Sequence, residues 1–173
     1  MFRRGLLLLT AGVLAGACRE PAEGAHPGGS ASSATEAPVL GAEPRVLGMG
    51  ELGRTPHFSA SVDSVRECPM DPPFSPKRGF LKLGVELTLT GTTATEVPTN
   101  PFYATVVDPS GTTYAPTLAG CEPGLFAGRV AEGKSQTGYV TFEVPKAATR
   151  LELRYRPAII GAKDEELRFS IRR

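Results

Sequence analysis

Few side chains in this sequence are of a type that does chemistry, and their spacing narrows the choice further. Histidine occurs twice, as His26 and His57. A hydrolytic triad needs a nucleophile, a histidine base and an orienting carboxylate. His57 would have to serve as that base, and no Gly-x-Ser-x-Gly turn presents a serine with it. Two histidines and no cysteine pair at ligand spacing are a poor inventory for a metal. No catalytic residue, cofactor site or metal site is therefore expected, and His57 reads as a surface or cap residue at the start of a strand. Asp164-Glu165-Glu166 and Lys77-Arg78 supply charge, but as solvated turn residues. Arg150, Arg154 and Arg156 share one strand face with Glu152, a spacing that suits either an anionic ligand or the polar outer face of a sheet. Tyr103, Tyr139 and Thr105 suit either a patch for protein or glycan or ordinary cross-strand pairing. Three cysteines remain, Cys18, Cys68 and Cys121.

The elements that must position these groups are strands. From Phe80 to Leu89, the residues Leu81, Leu83, Val85, Leu87 and Leu89 are aliphatic, with Lys82, Glu86 and Thr88 between them. That alternation predicts a strand with one buried face, and its outward residues read as merely soluble. Five aliphatic side chains on one side need a second layer, so this strand organises a core. Gly84 within it has nothing to pack, which predicts a bulge or a close approach. Further strand patterns run over Arg45–Leu47, His57–Val65, Phe102–Val107, Thr112–Ala115, Gln136–Val144, Leu151–Tyr155 and Leu167–Ile171. Asp71-Pro72-Pro73 and Ser75-Pro76 enforce an extended loop, because proline lacks the amide that a ladder needs. Asp108-Pro109-Ser110-Gly111 is a type I turn signal, with proline at its second position and glycine at its exit. Residues 91–100 read as loop or edge structure, and 119–134 as a Gly-rich irregular segment. With 20 glycines and 16 prolines in 173 residues and no amphipathic helix, the chain is all-β. The economical arrangement is an antiparallel, two-sheet sandwich of seven or eight strands over residues 45–173.

The amino terminus has a different character. Arg3 and Arg4 precede an apolar run from Leu6 to Leu14, and small residues precede Cys18. This is the order of a secretory signal, and the run is too short to span a bilayer as a stable helix. Leu14-Ala15-Gly16-Ala17-Cys18 resembles the lipobox of bacterial lipoproteins, with Ala15 where that family most often has leucine. The resemblance implies cleavage after Ala17 and acylation of Cys18, with several acyl chains giving stable membrane anchoring. Arg19 is not the aspartate that retains lipoproteins at the inner membrane of enteric bacteria. Removing residues 1–17 takes away two arginines and no acid, shifting the net charge from +1 to −1. Such a balance gives no reason to expect nucleic acid or an acidic membrane surface as partner.

Residues 18–44 carry the lipidated cysteine and a stretch dominated by Ala, Pro, Gly, Ser and Glu, including His26. This stretch cannot bury enough surface to fold and predicts a disordered tether with a reach of roughly 28 Å. With Cys18 assigned to lipid, Cys68 and Cys121 are left, and in an exported chain such a pair is expected to form a disulfide. Closing a loop of about 54 residues stabilises by roughly 4 kcal/mol on the chain-entropy account.

Asn100-Pro101-Phe102, Asp108-Pro109-Ser110-Gly111-Thr112-Thr113-Tyr114, Glu132-Gly133-Lys134 and Gly138-Tyr139-Val140-Thr141-Phe142-Glu143-Val144-Pro145 occur in this order. Together they resemble the telokin-like, immunoglobulin-type domain of unknown function common in bacterial lipoproteins and secreted proteins. That domain is similar in fold to a mycobacterial secreted antigen family. The resemblance spans roughly Leu47 to Ile171; it implies an immunoglobulin-like sandwich outside the cytoplasm and brings no catalytic residue. The expectation is a membrane-anchored envelope protein with a non-catalytic binding module for an envelope protein or glycan. A hydrolase or metal-handling lipoprotein, which would need a cluster around His57, is the alternative; a structural spacer is the third reading.

Overall fold

The computed structural model describes residues 45–173, and its most regular feature is the Leu-rich strand. Here β1 is Val46–Leu47, β2 Gly53–Arg54, β3 Phe58–Glu67, β4 Phe80–Gly91, β5 Val97–Thr99 and β6 Ala104–Val107. They are followed by β7 (Thr113–Tyr114), β8 (Gly128–Val130), β9 (Ser135–Pro145), β10 (Arg150–Tyr155) and β11 (Leu167–Arg172). One sheet has the order β2-β3-β4-β9, a second β1-β11-β10-β6-β7, and β5 and β8 form a separate ribbon. β4 lies between β3 and β9 and pairs antiparallel with both along most of its length. Every pairing in the two larger sheets is antiparallel except β1 with β11, which is parallel.

The core follows from the period-two pattern. Leu81, Leu83, Val85, Leu87 and Leu89 of β4 are buried with Val140, Phe142 and Val144 of β9. They face Leu151, Leu153 and Tyr155 of β10 and Leu167, Phe169 and Ile171 of β11, the inner faces of two stacked sheets. The Tyr155 ring meets Phe58 edge-on at 6.1 Å and Tyr103 at 6.4 Å. Burial pushes the Tyr155 hydroxyl above its ordinary pKa.

The sandwich is as expected, but the described residues form eleven strands rather than seven or eight. The additional ones, β2, β5 and β8, are two or three residues long. Segments this short carry no alternation to read; a partner distant in sequence makes them strands. Phe102 also departs from expectation. A single 3-10 turn over Pro101–Tyr103 replaces the start of the expected strand, with the Asn100 side chain accepting from the Phe102 amide, and Phe102 is exposed.

Candidate functional site

Cys68 and Cys121 form a disulfide, with Cα atoms 5.1 Å apart. Both are buried, against the outer face of the four-stranded sheet. Gly84 of β4 lies beneath them, opposite Arg66 and Thr141 on the neighbouring strands. A Cβ at Gly84 would meet Cys121 Sγ at 2.5 Å and Cys68 Sγ at 2.8 Å. The missing side chain is therefore the space in which the bridge lies. Thr141 Oγ1 accepts from the Cys121 amide at 3.0 Å and is itself buried. The bridge draws the loop after β3 and the segment before β8 onto one patch of sheet. Cys18 and His26 lie outside the described residues.

Lys82, expected to be a solvated residue of β4, is buried beside this loop. Its Nζ is 3.2 Å from Glu143 Oε2 on the adjacent strand. Burial acts to raise the Glu143 pKa, but hydrogen bonds from Lys82 and the Lys77 amide outweigh it and hold the carboxyl below its ordinary value. Lys77 itself is exposed, and the structure does not bring Lys77-Arg78 to the acids at 164–166.

Those three acids diverge. Asp164 pairs with Arg156, Glu165 with His57, and Glu166 with Arg168. Glu165 is not a solvated turn residue, since its side chain is only 8% exposed. Its Oε2 accepts the His57 amide at 3.2 Å, while Oε1 meets His57 Nδ1. Burial works to raise the Glu165 pKa, yet hydrogen bonds from the Thr55 hydroxyl and from His57 leave it below the usual carboxylate value. The cleft here, of about 530 Å³, is lined by residues 54–57 and 161–166, with no serine among them. What the arrangement does is clip the loop before β11 to the start of β3. Sequence reasoning could not pair residues 108 positions apart.

The tyrosines do not gather into one patch. Tyr139 stands on β9, with the Arg66 guanidinium 4.4 Å above its ring and its hydroxyl 3.1 Å from Ser64 Oγ, whereas Tyr103 packs on Tyr155. Thr105 stands on β6 of the five-stranded sheet, opposite Arg154 of β10. The outer face of β10 and β11 carries the expected Arg150 and Arg154, whereas Arg156 lies beyond β10 and pairs with Asp164. Arg154 Nε donates to Glu152 at 2.7 Å and Arg168 Nε to Glu166 at 2.6 Å. Arg150 lies directly across from Arg172. A cleft of about 360 Å³ opens on this face, with Arg150, Arg154 and Ser170 among its lining. Among the described residues, no group of three His, Cys, Asp or Glu is placed to hold a metal ion, and no helix is long and apolar enough to cross a membrane.

At the β6–β7 hairpin, Asp108 accepts from the Ser110 amide and hydroxyl, the Thr112 amide and the Tyr114 hydroxyl. The Ser110 hydroxyl leads in holding the Asp108 carboxyl below its usual pKa. Gly111 takes the left-handed conformation that closes the turn, with φ 87°.

Two stacked, largely antiparallel sheets with a hairpin of this pattern define an all-β sandwich domain. The model of a domain of unknown function, DUF4352, matches residues 48–166, and the chain belongs to that family. Solved structures share the fold. The ycdA protein of Bacillus subtilis, described as a candidate lipoprotein, is 20% identical with a TM-score of 0.62 over 70% of this chain. This chain spans 38% of that protein's length. The yjhA protein of Bacillus subtilis is 16% identical with a TM-score of 0.57, over 73% of this chain and 99% of that one. The secreted protein MPT63 of Mycobacterium tuberculosis is 14% identical with a TM-score of 0.54, over 76% of this chain and 99% of that one. No curated protein matches the sequence.

Proposed function

We propose that this chain is a lipid-anchored protein of the cell envelope, held through acylated Cys18, whose sandwich is a non-catalytic binding module. The observation that carries the reading is the use made of His57. His57 Nδ1 and its backbone amide meet Glu165, as the base and orienting carboxylate of a hydrolase would, but no serine or cysteine lines the cleft beside them, and the pair serves as a clip that fixes two loops. The disulfide supports the location, because such bonds persist in oxidising compartments outside the cytoplasm. The candidate partners are an envelope protein or glycan.

Two measurements test this. Cells fed labelled palmitate should label the wild-type chain and not a Cys18→Ser variant, and the variant should leave the membrane fraction. Crosslinking in intact envelopes should then trap a discrete partner. Hydrolytic turnover of an ester or glycan substrate that is abolished by His57→Gln would overturn the binding reading in favour of an enzyme.

A further inference from the structure

We infer that the arginine-bearing outer face of the five-stranded sheet docks on the anionic phosphate headgroups of the membrane that holds the anchor. The argument starts from a pairing that a purely structural sheet avoids. Arg150 and Arg172 are in register on antiparallel β10 and β11, and both point outward, since the alternate residues Leu151 and Ile171 are buried. Like charges directly opposite destabilise a sheet. No ion pair joins either arginine among the described residues. Four positions along, Arg154 and Arg168 are a second arginine pair on the same face. Each spends its Nε on a carboxylate, Glu152 and Glu166 respectively.

Four arginines on two adjacent strands thus face Glu152 and Glu166, with Asp108 at the rim of the cleft. The Asp108 carboxylate is already engaged by its own hairpin. The overall charge near zero conceals this segregation, because a sum over the chain carries no information about position. The guanidinium groups of Arg150 and Arg172 suit phosphate oxygens. Exposed Val46 lies in register with Arg168 and lines the same cleft, which adds an apolar contact at the edge of the face.

The choice of a lipid surface over a soluble anion comes from the chain outside the described residues. Residues 18–44 join the domain at Arg45, which leads into β1, and β1 is the edge strand of this same sheet. On the expectation that residues 18–44 form a tether with a reach of roughly 28 Å, the face would lie within range of the headgroups beside its anchor. Docking would then turn the disulfide-pinned face of the other sheet away from the bilayer. The inference rests on the anchor proposed above.

The test uses the mature chain, residues 18–173, with Cys18→Ser and exported behind an ordinary signal peptide, so that binding reports the domain and not the acyl chains. It should co-sediment with vesicles of phosphatidylcholine plus phosphatidylglycerol, not with phosphatidylcholine alone, and release as salt rises. Two interfacial arginines are worth roughly thirtyfold in binding, so Arg150→Gln with Arg172→Gln should lose about that much, while the corresponding Lys pair retains most of it. Circular dichroism and urea unfolding of the Gln variant should match the parent or improve on it, as relief of like-charge repulsion requires. Equal binding to both vesicle types, an unchanged Gln variant, or saturable capture of inorganic phosphate without vesicle binding would overturn the inference. Palmitate labelling at Cys18 separates the two readings: labelled wild type with indifferent Cys18→Ser protein keeps the anchor and sinks the docking. Vesicle binding without labelling sinks the anchor, and with it the tethered docking inferred here.

Discussion

The position of a β-carbon on Gly84 would fall 2.5 Å from the Sγ of Cys121, closer than real atoms of these types approach. Glycine in the middle of a strand normally weakens it; here it makes room for a bridge lying flat on the sheet. Gly84→Ala should therefore destabilise the domain by about 1–3 kcal/mol, as overpacking does. Urea unfolding measures it, and a double-mutant cycle identifies the cause. In a Cys68→Ala, Cys121→Ala background the added methyl has no sulfur to strike and only the β-carbon of residue 121, at 2.9 Å, stays close, so Gly84→Ala should cost clearly less. An equal loss in both backgrounds would place the cost in the strand itself.

Opening the bridge should matter on its own account. Cys68 and Cys121 are separated by 53 positions, and the loop they close includes β4, the centre of the fold. Replacing both with alanine should cost about 2–4 kcal/mol, read as a lower urea midpoint, and reductant should move the wild type toward the variant without further affecting the variant.

The parts of this fold that could be read in the sequence are those whose pattern repeats within one strand. The leucines of β4, Gly138–Val144 of β9, and the closing alternation of β11 all place their inner faces as expected. The hairpin from Asp108 to Tyr114 was legible because its hydrogen bonds span at most six positions. Hidden from the sequence were features decided by distant partners. The three additional strands, β2, β5 and β8, form only where β3 or each other supply a ladder. Lys82 reads as a solvent residue, and only the folded chain shows it buried beside Glu143 of the neighbouring strand. Glu165 likewise stands in a run of acids that reads as a charged turn until His57 closes on it.

Lys82 supplies a prediction of its own. With its amine 3.2 Å from Glu143 and both side chains largely removed from water, Lys82→Ala should cost about 1–3 kcal/mol, because it removes packed methylenes and leaves the carboxylate short of a donor. Lys82→Met keeps most of the stem and should lose less. In both variants the Glu143 carboxyl should titrate higher than in the wild type, since Lys82 is the leading group that depresses it against burial. Carbon-detected NMR titration of the carboxyl group follows this directly; an unmoved Glu143 would show that the ion pair does not form in solution.

Acid sensitivity follows from the same physics at three places. Asp108, Glu143 and Glu165 all have folded-state pKa values below their ordinary ones. A carboxyl depressed by folding binds its proton more readily when unfolded, so it contributes stability above the unfolded pKa, and that contribution is lost as pH falls through the folded one. The urea midpoint should thus be level on this account well above the ordinary carboxylate range near 4, and should decline as pH drops below it. Glu165 is the member of this set that clips two distant segments, with His57 and Thr55 facing its carboxyl and Lys163, Asp164 and Glu166 beside it in the chain. Glu165→Gln should lower the midpoint at neutral pH and flatten part of the acid decline, because the amide has no proton to take up. Hydrogen exchange should at the same time rise at the His57 amide, whose acceptor is the replaced carboxylate. If the variant keeps the full acid slope of the wild type, the clip does not carry the titration, and the dependence belongs to Asp108 and Glu143.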